Sequence, residues 1–287
     1  MYSEIKIIEC PRDAMQGIIP FIPTSKKIGY INKLLRVGFD TIDFGSFVSA
    51  KAIPQMSDTA EVLEGLDTGG GASKLLAIVA NERGAVEASQ RSAIHYLGFP
   101  LSISETFQKR NTNKSIPEAL NTLGEIRNIC DRSGKKLVTY ISMGFGNPYG
   151  DPYEAEVVSR FVDILITLGS DVISLADTIG AAESDDIEKL FTSVSQQFPD
   201  ASLGVHLHAR PDSASARIEA AYRGGCRRFD GAMRGFGGCP MADDDLVGNI
   251  ATETIVSVLE GKGAVLNLDR AALTEAMAAA DSVFQVT

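Results

Sequence analysis

The chain contains three histidines, and two of them, His206 and His208, stand two apart in the run Gly204-Val205-His206-Leu207-His208. A β-strand repeats its side-chain direction every second residue, so a strand through this run puts both imidazoles on one face, as a chelate requires. Taken alone, an H-x-H reads equally well as a hydrogen-bonded core or surface pair. A carboxylate arriving from elsewhere decides for a cation, and Asp13, just after the first β-branched run in Cys10-Pro11-Arg12-Asp13, is the candidate. Two neutral imidazoles and one carboxylate leave open positions for water or substrate, the requirement of a catalytic metal site. Asn249 offers a further hard oxygen. Such mixed ligation suits magnesium, manganese or zinc, and residue types alone do not choose among them.

Three further groups carry possible chemistry. Asp43 ends the second β-branched run, Asp177 precedes Thr178 at the end of the sixth, and Cys239 lies in the glycine-rich stretch Arg234-Gly235-Phe236-Gly237-Gly238-Cys239-Pro240. A thiol near a cation and Arg12 would have a lowered pKa and could move a proton. The plainer reading of that stretch is a flexible connector with an incidental cysteine. Asp177 and Asn249 each read alternatively as caps of the helices that follow them. His95 has no partner that the sequence identifies and reads as a structural histidine.

The elements that must position these groups alternate along the chain. Short β-branched runs at 5–9, 41–44, 75–79, 93–96, 137–142, 172–176, 203–208 and 228–232 are separated by stretches of helical period. Helices are expected at 26–37, 116–133, 152–168, 184–198, 212–223, 249–260 and 269–284, the first three closing at Gly38, Gly134 and Gly169. Four glycines in 65–73 mark a loop. Eight strands joined by crossover helices give the fold class α/β, a (β/α)8 TIM barrel with an extra C-terminal helix, as one domain over residues 1–287. A doubly wound open sheet ranks second, because no G-x-G-x-x-G turn occurs near the N-terminus. In a closed barrel the first strand lies beside the eighth and near the seventh, and catalytic groups sit at the C-terminal ends of strands. Asp13, His206 and His208 then converge.

Composition narrows the function further. With 44% apolar and 22% charged residues and no apolar run of membrane-spanning length, no spanning helix is expected. The start, MYSEIKIIECPRD, reads as a strand rather than a targeting segment, so a cytoplasmic location is expected. Cys10, Cys130, Cys226 and Cys239 are irregularly spaced and read as free thiols. A net charge of −10 disfavours nucleic acid, and an anionic ligand would need a local basic pocket.

Together these residues resemble the 3-hydroxy-3-methylglutaryl-CoA lyase family. The likeness runs through PRDAMQ (11–16), SFVSAKAIPQM (46–56), ISLADTIG (173–180), VHLH (205–208), GFGGCP (235–240) and GNIATE (248–253). The Gly-Gly-Cys-Pro loop separates it from the related condensing synthases, which carry a long C-terminal region that is not expected here.

The resemblance implies cleavage of an acyl-CoA between C2 and C3 to acetyl-CoA and acetoacetate, with Asp13, His206, His208 and Asn249 binding Mg²⁺ or Mn²⁺ in preference to Zn²⁺. It implies Arg12 beside the thioester carbonyl, Cys239 as the catalytic thiol, and His206 or Asp177 as acceptor of the hydroxyl proton. Lys51, Lys109, Arg110 and Lys114 are candidates for CoA phosphates, although charged loop residues are usually just solvated. No nucleic acid or membrane partner is expected, and the chain is expected to form a dimer or tetramer of itself.

Three positions depart from the family pattern. Asp43 stands where the family has a glutamate near the metal. Cys10 and Ala14 add side chains where it has glycines. Ala209 replaces a carboxylate after the H-x-H that would orient an imidazole, so weaker metal binding is expected. These changes admit a lyase acting on another branched 3-hydroxyacyl-CoA. A non-catalytic barrel that binds metal or acyl-CoA is the reading from a different class, and the thiol argues against it.

Overall fold

The β-branched runs form eight parallel strands, β1 (Lys6–Glu9), β2 (Thr41–Ser46), β3 (Lys74–Ile78), β4 (Ile94–Ser102), β5 (Lys136–Ser142), β6 (Val172–Asp177), β7 (Leu203–Leu207) and β8 (Arg228–Gly231). In the computed structural model, which describes residues 4–238 and 247–284, they close into a barrel in sequence order. β1 seals it against β8 in the register Lys6↔Arg228 to Glu9↔Gly231. The TIM barrel expected from the alternation is therefore the fold.

Around the barrel run α1 (Pro11–Gln16), α2 (Thr24–Val37), α3 (Thr59–Glu64), α4 (Glu82–Ser89), α5 (Glu105–Thr112), α6 (Ile116–Ser133), α7 (Ala155–Thr167), α8 (Ser184–Gln197), α9 (Pro211–Arg223), α10 (Thr252–Gly261) and α11 (Arg270–Val283). Left-handed residues close α2 and α6 at Gly38 and Gly134, as their glycines imply. The C-terminal α11 packs on α2. Among the described residues no helix is long and apolar enough to cross a membrane.

Where strand and helix limits differ from the sequence reading, the reason is local. β4 continues past Gly98-Phe99-Pro100 because β5 accompanies it to Ser102, whereas β3 has already ended at Ile78. Pro100 thus lies where one neighbour is gone, a position that tolerates the missing N–H. The helix expected from residue 249 starts at Thr252, since Asn249 and Ala251 form bridges to His208 and Ala232. The helix expected from residue 152 starts at Ala155. The short helices α1, α3, α4 and α5 carry too few turns to show a period.

The main core lies between barrel and helices, and a smaller apolar cluster of Leu76, Ile78, Tyr96, Val138 and Tyr140 occupies the β3, β4 and β5 side. The opposite side is polar and buried. Asp43, His206, Arg228 and Asp230 are each at most 9% exposed. This asymmetry puts the ionisable groups on β2, β7 and β8, around the end of β1.

Candidate active site

Pro11 fixes the first turn of α1 directly after β1, so the chain swings across the barrel mouth and Arg12 and Asp13 fall within one helical turn, both buried. Asp13 is held from three directions. Its Oδ1 accepts from Arg12 Nη1 at 2.9 Å and Gln16 Nε2 at 2.7 Å, and its Oδ2 accepts from Asn249 Nδ2 at 2.6 Å. Burial raises its pKa, but Arg12 and the two histidines outweigh that and bring it to about 2. Asp13 is a carboxylate.

His206 and His208 leave β7 on the same face, and Asp13, His206 and His208 each offer a ligand atom within 4.8 Å of the others. The imidazole Nε2 atoms of the two histidines stand 3.3 Å apart. His208 Nδ1 lies 2.9 Å from the Val247 carbonyl, which can only accept, so Nδ1 carries the hydrogen and Nε2 is bare. Burial and the neighbouring His206 lower the His208 pKa to about 4, so this ring is neutral. Burial also depresses His206, yet Asp230 and Asp13 raise it above its usual value. The bare His208 Nε2, the Asp13 carboxylate and His206 Nε2 face one small volume, which a proton on His206 or a positive ion would neutralise. The residues present therefore fit a divalent cation.

Arg12 is clamped by Asp43, which accepts from Nε at 3.0 Å and from Nη2 at 2.5 Å. Burial pushes the Asp43 pKa up to about 6 against the opposing pull of Arg12. The shorter carboxylate noted in the sequence is thus engaged with the guanidinium.

A cavity of about 1070 Å³, including the space that opens to solvent, lies over these groups. Arg12, Asp13, Gln16, His206 and His208 form its polar wall, and Val48, Ile53, Ile78, Phe107 and Tyr140 are among its apolar residues. Asn249 lies behind Asp13, donating to it and to the Phe236 carbonyl at 2.8 Å. Because both neighbours are acceptors, the nitrogen side of this amide faces Asp13.

Other expected residues fall elsewhere. Asp177 turns away from the cavity. Its oxygens accept from the Ala181 and Ala182 amides at 3.0 and 2.9 Å and from Arg217 at 3.1 Å, which staples the loop after β6. Lys51, Lys109 and Arg110 are exposed near cavity-lining residues Ala52 and Asn111, with Lys109 3.0 Å from Glu105 and the Arg110 guanidinium over the Tyr149 ring. Lys114 bonds Thr122 on α6. Cys239 lies outside the described residues. The chain leading to it does not, and Gly237 (φ +97°) passes so near Asp13 that a Cβ would come within 2.6 Å of its carbonyl oxygen.

Sequence reasoning missed Gln16, Tyr140, Arg228 and Asp230. The signal for the last two was a pair of charges in a four-residue strand, Arg228-Phe229-Asp230-Gly231.

An eight-stranded parallel barrel with carboxylate and imidazole donors at the C-terminal mouth defines the class of (β/α)8 enzymes built around a divalent cation. Within that class the chain belongs to the HMGL-like family, whose model matches residues 4–280. It is 36% identical over 250 residues to the hydroxymethylglutaryl-CoA lyase YngG of Bacillus subtilis, covering 87% of this chain and 83% of that protein. It is 33% identical to the hydroxymethylglutaryl-CoA lyase of Pseudomonas mevalonii, covering 94% and 89%. Among solved structures, an HMG-CoA lyase from Acinetobacter baumannii in complex with coenzyme A and 3-methylmalate superposes with a TM-score of 0.91 at 30% identity, over 98% of this chain and 92% of that one.

Proposed function

We propose that the protein is a divalent-cation-dependent carbon–carbon lyase that cleaves 3-hydroxy-3-methylglutaryl-CoA to acetyl-CoA and acetoacetate. One observation carries this reading beyond family membership: the donor atoms of Asp13, His206 and His208 gather within 4.8 Å of one another on the wall of the cavity. Asp13, His206 and His208 would hold the cation, with the Asn249 amide supporting Asp13 and offering its oxygen. When bound there, Mg²⁺ or Mn²⁺ supplies Lewis acidity that lowers the pKa of a hydroxyl ligand.

The protein's own groups supply the rest. Arg12 has five N–H bonds, of which one on Nε, two on Nη1 and one on Nη2 serve Asp43, Asp13 and Gln16. One Nη2 hydrogen remains for the thioester oxygen, where negative charge grows as the bond between C2 and C3 breaks. His206 lines the cavity and Asp177 does not, so His206 is the better placed of the two to take the hydroxyl proton. A nitrogen that holds the cation has no lone pair left for that proton, so His206 Nε2 would serve as the base only if Asp13 and His208 kept the cation without it. Cys239 would give its proton to the departing enolate carbon; Gly237, two residues before it in the sequence, passes close to Asp13. Lys51, Lys109 and Arg110, exposed beside cavity-lining segments, are suited to the CoA phosphates. A second copy of the chain would cover apolar surface such as Ile19 and Phe21, which are 94% and 47% exposed.

The test is release of acetyl-CoA from 3-hydroxy-3-methylglutaryl-CoA by purified protein with Mg²⁺ or Mn²⁺. EDTA and Cys239→Ser are expected to abolish it. No release above the Cys239→Ser background overturns the named substrate.

A further inference from the structure

The two histidines differ in what fixes their rings. His208 is tied at Nδ1 by the Val247 carbonyl. On His206 the corresponding atom has no completed hydrogen bond, and neither does Asp230 Oδ2, although both are buried. The two atoms lie 3.4 Å apart, too long or misaligned for a made bond, with the Cys10 thiol in the same cluster. Register explains the approach. His206 and Asp230 are direct partners across β7 and β8, so their side chains share the inner face of the barrel.

Behind Asp230 stands Arg228, two residues earlier on the same strand and hence on the same face, donating from Nη1 to Asp230 Oδ1 at 2.6 Å. Room for it comes from Gly204 on β7, where a Cβ would meet the Arg228 side chain at 3.1 Å. Burying such an ion pair rarely favours stability over apolar residues of the same volume. Leu76 and Val138 fill the other side of the interior without charge. The buried pair therefore has a purpose other than packing.

We propose that Asp230, braced by Arg228, is the positioning residue of His206, fixing the hydrogen on Nδ1 so that Nε2 presents its lone pair to the cation. The orienting carboxylate that the sequence lacks after the H-x-H, where Ala209 stands, thus comes from β8. This rests on the reading of His206 as a cation ligand. An imidazole nitrogen opposite a metal takes its tautomer from the partner of its other nitrogen.

The experiment is Mn²⁺ binding to the metal-stripped full chain, by calorimetry and by electron paramagnetic resonance of free Mn²⁺, alongside thermal unfolding of each metal-free protein. In Asp230→Asn the amide oxygen keeps Arg228, and its N–H₂ faces His206 Nδ1, which forces the ring hydrogen onto Nε2. A rise in Kd of about 10- to 100-fold is expected. The double variant Arg228→Met, Asp230→Leu removes the pair with little change in volume and leaves the ring free to sample both tautomers, so its Kd is expected to rise less than that of Asp230→Asn. A purely structural role would not produce this order. Should Asp230→Asn not fold, the double variant alone must still bind more weakly than the wild type. Folded variants whose Kd stays within about threefold of wild type, below the usual loss behind a ligand, overturn the inference. His206→Ala is the reference: if it binds Mn²⁺ as tightly as wild type, His206 is no ligand, and that reading fails separately, taking the inference with it.

Discussion

His206 Nε2 faces His208 Nε2 across 3.3 Å, and the His208 atom has no hydrogen to offer because its Nδ1 is bound to the Val247 carbonyl. With a proton on His206 Nε2 this contact is a hydrogen bond, and a cation bound there would take that proton's place. Adding Mn²⁺ to the metal-free protein is expected to raise its melting temperature, since at a hundredfold excess over Kd a ligand adds about 2.7 kcal/mol. His208→Ala should lose this shift, with binding weakened beyond the about 10- to 100-fold typical of residues behind a ligand. An unchanged shift in His208→Ala would remove His208 from the cation site.

Arg12 bridges Asp43, Asp13 and Gln16 through a planar fork that no lysine reproduces. Arg12→Lys is expected to fold and to lose about 10²- to 10³-fold in kcat, the usual cost of one donor aimed at developing charge. Arg12→Met strands two buried carboxylates and is expected to cost about 3–5 kcal/mol in urea unfolding. Equal stability losses for the two variants would contradict the separate parts given to charge and geometry.

How much of this was legible in the sequence depended on the range of each interaction. Strand alternation and the glycines after α2 and α6 announced the barrel and its helices, because period and capping are local. The H-x-H and Asp13 were legible once eight strands implied closure. Asp177 stayed open between two readings, since an aspartate at a strand end looks the same whether it serves the cavity or, as here, ties down Ala181, Ala182 and Arg217. Asp230 was invisible as a partner of His206 because only the β7 to β8 register joins residues 24 positions apart in the sequence.

Glu9 gives the clearest pH dependence. Its carboxyl, fully buried between the Met233 amide and the Thr252 hydroxyl, is pushed by burial from 4.5 to about 8. The folded state therefore keeps its proton where the unfolded chain has released it, so this group's contribution falls as pH rises from 4.5 to 8 and is lowest above that. Glu9→Gln needs no proton. The stability of Glu9→Gln relative to wild type is expected to rise over this window, by at most about 1.4 kcal/mol per pH unit, and to level off above it. A difference independent of pH in urea titrations would show that Glu9 is ionised in the fold.

Gly237 combines φ +97° with backbone and Asn249 contacts at 2.6 Å from where a Cβ would sit. Gly237→Ala is expected to weaken Mn²⁺ binding and to destabilise the protein by more than the about 1 kcal/mol associated with permitted glycine replacements. Wild-type binding by a folded Gly237→Ala would mean that the loop gives Asp13 and Asn249 no support.

Titrating metal-stripped protein with Mn²⁺, while following both products formed from 3-hydroxy-3-methylglutaryl-CoA, tests the central claim most directly. Acetyl-CoA and acetoacetate should appear in equal amounts, with a rate that saturates as Mn²⁺ occupies the wild-type site and that is lost in Asp13→Asn. Equal rates with and without the cation, or no products from cation-loaded wild type, would contradict a cation-dependent lyase built on Asp13, His206 and His208.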